Sequence, residues 1–457
     1  MEYNFEPRIV EKSHFLRATI IYQWIYAFFG LALPPPLAQN VTSSSIGRLL
    51  LWPFFILYVA VLIVLVIWMV YVNNLVVYTY VDHYALDSIT SVLSIVQNIA
   101  VAFVQITMHL VAFVGRQRSE RIQKTIAQLE RDIGWYSRDF SNHFGVFREE
   151  DINFRQKVMA FHRKLFLRCG LFLLVHCTLL SYVNYPLISD ILSLRDRILT
   201  VLSFQLIQTK YSEYCASILI VNEFVSSLQQ SLRVLRYEII RGQRLEGNFP
   251  AYGKLMANQF LLSRVWILVQ YIEDYFGLPM LILFLYNGVA ITHTINWMYV
   301  RSFALDEKDS LEGCEYRSSF YMENFEYSMK ISSPPQFVSI SFSWYSFACF
   351  GPAGSPRNYS QISSILSSFK IPPRDVALKN RQREYSLQLL HQKLEFSCWG
   401  FFDMNLKYFG LVGGQFLVRN LILNLSSFQM ALAVTTYVFI LIQFKLQAET
   451  EKGNLRL

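Results

Sequence analysis

Charged side chains are scarce in the apolar stretches of this 457-residue chain, so those that occur there are where chemistry would sit. Lys210 and Glu213 are three residues apart, a spacing that puts both on one face of a helix and lets them pair. Glu223 follows in the same region. Glu273 and Asp274 interrupt a long apolar run, and His109 and His176 lie inside two others. Groups of this kind either pair or line a path for an ion or ligand. Pairing, or exposure at a membrane boundary, is the expected role for the acidic and basic groups, and packing or hydrogen bonding for the histidines. In 428–446, FQMALAVTTYVFILIQFKL, the helical pitch aligns Tyr437, Ile440 or Leu441, and Phe444 in one stripe, with Gln443 beside it. That stripe either lines a pore or packs on a neighbouring helix.

Catalysis is not indicated. The sequence has no Gly-rich phosphate loop, no G-x-S-x-G and no H-E-x-x-H, so an enzyme is not expected. Its six cysteines (169, 177, 215, 314, 349 and 398) form no C-x-x-C pair and have no histidine at metal spacing, so neither a metal nor a cofactor is expected.

The elements that must position these residues are apolar helices. Hydrophobic residues make up 53% of the chain, aromatics 16% and charged residues only 16%, where soluble chains average roughly 25% charged. Such a composition predicts an integral membrane protein. Runs long enough to cross about 30 Å of hydrocarbon occur at 49–72, 89–114, 164–188, 199–221 and 265–299, with weaker ones at 335–352 and 428–446. The segment 18–33 is shorter and ends at Pro34, Pro35 and Pro36, which fits an interfacial or re-entrant piece. The fold class is therefore all-α, a polytopic protein with seven transmembrane helices.

Lys and Arg set the orientation. They number four in 1–48, none in 73–88, eleven in 115–164, two in 189–198, six in 222–264, four in 300–334 and seven in 353–393. The alternation puts the N-terminus in the cytoplasm and the C-terminal tail, 447–457, outside. The basic residues form no single patch, so nucleic acid is not an expected partner. Sequons at Asn40, Asn358 and Asn424 all fall on the inner side and are expected to be unmodified. Aromatics assigned to the outer side, Tyr78, Tyr80, His83, Tyr182, Tyr185, Trp297 and Tyr299, fit an interfacial belt first and a ligand pocket second.

The basic segments carry helical stripes of their own. Ile122, Ile126, Leu129 and Ile133 form one, and Leu228, Leu232, Leu235 and Ile239 a second. Leu387, Leu390, Leu394 and Phe401 form a third, interleaved with Arg381, Arg383, Lys393 and Glu395. These predict helices that run beyond the bilayer into a cytoplasmic anchor layer. The expected organisation is a cytoplasmic N-terminal region, 1–48; helices 1–6 over 49–352, with cytoplasmic loops 115–164 and 222–264; a cytoplasmic loop and anchor helix, 353–410; and helix 7, 428–446. No internal repeat is visible, which weighs against a secondary transporter.

The end of the chain also resembles a known family. FSCWGFFDMNLKYFG (396–410) is followed by Thr436-Tyr437, five apolar residues and Gln443-Phe444, which is similar to the closing signature of the insect gustatory receptors. YSLQLLHQKLEFSCWGFFDMNL (385–406) is similar to that family's upstream run. The resemblance implies a fold related to the insect odorant receptors, assembled as a homo- or heterotetramer around a pore that conducts cations without strong selectivity. It implies that Thr436, Tyr437, Ile440, Gln443 and Phe444 line or gate the pore, the rings of Phe444 closing it by dewetting and the Gln443 amides facing the ion. It implies that Phe396, Gly400, Phe401, Phe402 and Asp403 belong to the cytoplasmic anchor motif. The ligand would be a tastant, bitter or otherwise non-sugar in preference to sugar, and the location the plasma membrane of a gustatory neuron's dendrite. A transporter or a metabotropic receptor of inverted topology are the alternatives. The stretch 411–427 makes the interval between the two motifs longer than the family pattern, as an insertion or as retained intron sequence.

Overall fold

Away from water every backbone N–H and C=O must find its partner within the chain, and a helix does this locally. The computed structural model describes residues 13–32, 45–84, 88–142, 159–174, 177–178, 194–245, 251–299, 354–371, 375–394 and 396, and among them no strand occurs. The helices are α1 (His14–Ala18), α2 (Ile20–Phe28), α3 (Ser45–Tyr84), α4 (Ser88–Val114), α5 (Arg116–Asn142), α6 (Leu194–Leu245), α7 (Ala251–Tyr299), α8 (Gly354–Ser367) and α9 (Val376–His391). Segment 159–174 is also helical, widened into a π-helical turn at Phe166–Gly170.

Several helices are longer than the apolar runs that announce them. The run 49–72 lies within the 40 residues of α3, so most of 73–88 is helix. Runs 199–221 and 226–240 are one helix, α6, of 52 residues, or roughly 78 Å. α7 has 49 residues and starts at Ala251, not 265; Glu273 and Asp274 sit in its middle without interrupting it. The stretch 222–264 is therefore mostly helix.

Two described segments, Ser91–Val114 and Ala251–Ala290, are long and apolar enough to cross a membrane, and Ile56–Val72 is a shorter apolar one. Runs 335–352 and 428–446 lie outside the described residues, as does 411–427.

Side-chain contacts fix the register. α4 and α5 form one rod joined at Gly115 and antiparallel to α7. Gln97 bonds Tyr286, the Arg118 guanidinium donates to the Asp274 carbonyl at 2.9 Å, Arg264 pairs with Asp132, and the Tyr136 hydroxyl donates to the Lys254 carbonyl at 2.9 Å. α6 is antiparallel to α7, through Lys210 and Tyr275 at one level and Leu228 and Asn258 at another.

Gly115 also marks a reversal of polarity. Along α4 the exposed face is apolar (Val96, Ile99, Phe103, Ile106, Leu110, Phe113), while Gln97, Asn98 and Gln105 are buried. Along α5 the sides exchange: Ile122, Ile126, Leu129 and Ile133 are buried, as their spacing requires, and the basic face is out. An apolar exterior over a partly polar interior suits hydrocarbon, and the opposite suits water. The bundle thus has an apolar half and a charged half that meet near Gly115.

α1 and α2 rise along this rod from the charged half into the apolar half. A helix that ends there must have its last carbonyls satisfied. Gly30, at φ +71°, supplies the left-handed turn. Its N–H donates to the Ala27 carbonyl at 2.9 Å and the Leu31 N–H to the Tyr26 carbonyl at 2.8 Å, a Schellman closure. The Tyr58 hydroxyl donates to the carbonyls of Ala27 (2.5 Å) and Ala32 (3.2 Å), and the His109 ring meets the Phe29 carbonyl at 3.0 Å. The expected short re-entrant segment is thus packed against the bundle, with Tyr22, Tyr26 and Leu31 buried and Ile21, Trp24 and Phe28 exposed. A Cβ on Gly30 would stand 2.9 Å from Leu62 and 3.2 Å from the His109 ring. Gly30→Ala is expected to cost about 1–2 kcal/mol from the left-handed backbone alone, and Gly30→Asn less, measured as the unfolding free energy of the purified chain.

Candidate functional site

Of the residues the sequence assigns to pore and anchor, Phe396 is described and buried. Thr436, Tyr437, Ile440, Gln443 and Phe444, and Gly400, Phe401, Phe402 and Asp403, lie outside the described residues. What can be built is the polar machinery that receives the chain just before them.

Its upper part is a buried cation at the level where the two halves meet. Lys210 on α6 has no exposed surface. Its ammonium donates to Glu213 at 2.7 Å and to the Tyr275 hydroxyl at 3.1 Å, and lies 4.3 Å from the Tyr275 ring centre and 4.8 Å from that of Phe276. The pairing follows from the i,i+3 spacing, but the α7 partners were not legible in the sequence. Gly115 and Ser119 complete the site: a Cβ on Gly115 would lie 2.9 Å from the Tyr275 ring, and Ser119 bonds the Tyr275 hydroxyl. Tyr214, one residue past Glu213, packs against Phe276 with the rings tilted by 55° at 5.3 Å and meets Phe396 edge-on at 6.4 Å. Phe396 therefore packs against the residue that follows Glu213 on α6. Glu223 pairs with Lys164 at 2.5 Å on the outside of the bundle.

The lower part is a network across α5, α6, α7, α8 and α9. Asn258, fully buried on α7, donates to the Leu228 carbonyl at 3.2 Å and accepts from the Tyr385 hydroxyl at 2.7 Å. Lys254 and Glu238 pair at 3.4 Å nearby, both nearly buried. Gln361 of α8 accepts from Gln229 and from Arg233 of α6, the latter at 3.1 Å, and Gln382 of α9 donates to the Leu366 carbonyl. The Tyr359 hydroxyl donates to the carbonyls of Leu389 (3.4 Å) and Gln392. Burial pushes the Tyr136 and Tyr385 phenols well above their ordinary range and Tyr359 up to about 12, so all three stay protonated donors.

The inward face of α9 differs from the expected stripe. Leu378, Tyr385 and Leu389 are buried, whereas Leu387 and Leu390 are 55% and 69% exposed. The helix ends at His391, and Leu394, though buried, follows in non-helical chain, so no single stripe runs from 387 to 401. The Asn258–Tyr385 bond selects the face: the buried amide oxygen needs a donor, and the Tyr385 hydroxyl reaches it at 2.7 Å.

His109 is hydrogen-bonded, as expected, to the Gln105 carbonyl at 2.8 Å as well as to Phe29. Tyr78, Tyr80 and His83 stand on α3 and not in a loop; Tyr78 is exposed. Trp297 and Tyr299 end α7, while His176, Tyr182 and Tyr185 lie outside the described residues. Among the described residues no group of three or more metal-ligating side chains occurs.

The sequence profile of the 7tm Chemosensory receptor family matches residues 16–414. Two Drosophila melanogaster chains carrying the gustatory receptor names 98b and 98c are also similar. The first is 28% identical over 440 residues, 96% of this chain and 97% of that one. The second is 24% identical over 445 residues, 96% and 95%.

Proposed function

The chain belongs to the 7tm chemosensory receptor family, together with insect gustatory receptors, whose members are receptors or channels rather than enzymes, and from that premise we propose that it is a subunit of a tastant-gated, non-selective cation channel. The observation that carries the reading is the end-to-end similarity to chains with gustatory receptor names, in a sequence that closes on Thr436-Tyr437 and Gln443-Phe444. In this reading the N-terminus is cytoplasmic, the charged half of the bundle is the anchor layer, and four subunits meet around their seventh helices. Exposed Leu387 and Leu390, apolar on the outer side of α9, support a subunit contact there. The tastant is a small molecule, bitter or otherwise non-sugar in preference to sugar, and the channel works in the plasma membrane of gustatory dendrites. Residues 411–427 lengthen the interval between anchor and pore, as an insertion or as retained intron sequence, and the family match ends within them, at 414.

The test is patch recording from cells expressing the chain, challenged with a tastant panel. Phe444→Ala is expected to raise basal leak, because a dewetted constriction is lost, and Gln443→Ala to shift the relative permeability of cations. Ligand-evoked currents with unchanged selectivity and leak in both variants would sink the pore assignment.

A further inference from the structure

The segment 13–32 is held at both ends by side chains from other elements. At its start the Glu130 carboxylate of α5 accepts from the Ser13 hydroxyl, from the His14 N–H at 2.8 Å and from the Phe15 N–H at 3.3 Å. The two N–H groups belong to the first turn of α1, where a carboxylate is favoured by the helix dipole. At its other end the Phe29 carbonyl meets His109 of α4 at 3.0 Å, and Tyr58 of α3 holds Ala27 and Ala32. Between the ends, Phe15 stacks edge-on against Phe161 (4.8 Å) and Phe224 (5.4 Å), and the Tyr26 hydroxyl lies 3.4 Å from that of Ser212.

The two anchor points on the α4–α5 rod lie on opposite sides of Gly115, the residue at which α4 stops and α5 begins. The junction keeps its helical bonds, Gly115 N–H to the Val111 carbonyl at 2.7 Å and Ser119 N–H to the Gly115 carbonyl at 3.0 Å. A Cβ there, however, would fall 2.5 Å from the Val111 oxygen and against the Tyr275 ring, so the joint is a place only glycine fits. From His109 to Glu130 the rod covers about 31 Å, and from Ser13 to Phe29 the segment covers about 24 Å alongside it.

We infer that segment 13–32 is a splint: pinned to α5 at Glu130 and, through the end that Tyr58 closes, to α4 at His109, it braces the Gly115 joint in addition to the bonds that α7 makes on both sides of it. Freeing either end lets the joint open. The inference does not depend on the channel reading.

The test is hydrogen exchange followed by mass spectrometry on the full chain in lipid nanodiscs, comparing wild type with Glu130→Ala and Tyr58→Phe. Neither substitution lies near the joint: Glu130 is fifteen residues along the chain and Tyr58 is on another helix. Both variants are expected to speed exchange about tenfold within 13–32 and also at 111–119, while 262–276 in α7 stays protected. Faster exchange confined to 13–32, with 111–119 as slow as in wild type, overturns the inference. If Glu130→Ala loses protection in 262–276 as well, Tyr58→Phe, which removes one hydroxyl, decides between the two results.

Discussion

Glu213→Ala is expected to lower the unfolding free energy of the purified chain by about 3–5 kcal/mol, because it strands a buried cation. Lys210 has no exposed surface, and Glu213 is the carboxylate that neutralises it at 2.7 Å. After the substitution the ammonium keeps only the Tyr275 hydroxyl at 3.1 Å and the faces of two rings, which do not balance a full charge away from water. The double variant Lys210→Met/Glu213→Leu removes the charge with its partner and leaves Tyr275 bonded to Ser119. It is expected to recover most of the loss, since apolar replacements of buried ion pairs are often neutral or stabilising. Denaturant titration of both variants in micelles checks this. A double variant as unstable as Glu213→Ala would mean that the pair holds the α6–α7 contact in a way charge neutralisation does not explain.

Asn258→Leu is expected to carry the second largest effect. Asn258 of α7 bonds the Leu228 carbonyl of α6, the Tyr385 hydroxyl of α9 and the Tyr136 hydroxyl of α5. Replacing it strands a buried phenol, at about 1–3 kcal/mol, and removes the contact that orients α9. Because the phenol is held protonated by burial, it cannot relieve the loss by ionising. Tyr385→Phe in the same background removes the stranded hydroxyl and is expected to restore part of the stability. The readout is again the unfolding free energy, with cysteine accessibility at position 387 reporting the orientation of α9. If the double variant is no more stable than Asn258→Leu, the bond is incidental to the packing of α9.

Patterns within one helix were readable from the chain alone. Ile122, Ile126, Leu129 and Ile133 are buried where their spacing puts them, as are Leu228, Leu232, Leu235 and Ile239. Lys210 pairs with Glu213 because residues three apart share a face. The third stripe was misread because α9 is polar overall and offers several leucines, and spacing does not say which of them meets the bundle. The stripe at 226–240 predicts a helix running on past 199–221, as α6 does, whereas the run from 265 did not reveal that α7 starts at Ala251. Hydropathy reports how far a helix can be surrounded by lipid, and α6 and α7 continue as ordinary amphipathic helices past that point.

By itself the sequence determined the all-helical architecture, the membrane class and the family, since these follow from composition, periodicity and motifs that survive in any conformation. Only the tertiary structure decided which polar groups meet across helices. Tyr275 under Lys210, Asn258 against Tyr385, Glu130 on the start of α1 and Tyr58 on the end of α2 join residues 31 to 127 positions apart. A buried donor or terminal carbonyl demands a partner, but the demand is met by whichever side chain the packing brings within 3 Å, and that follows from helix register and crossing, which no local pattern encodes.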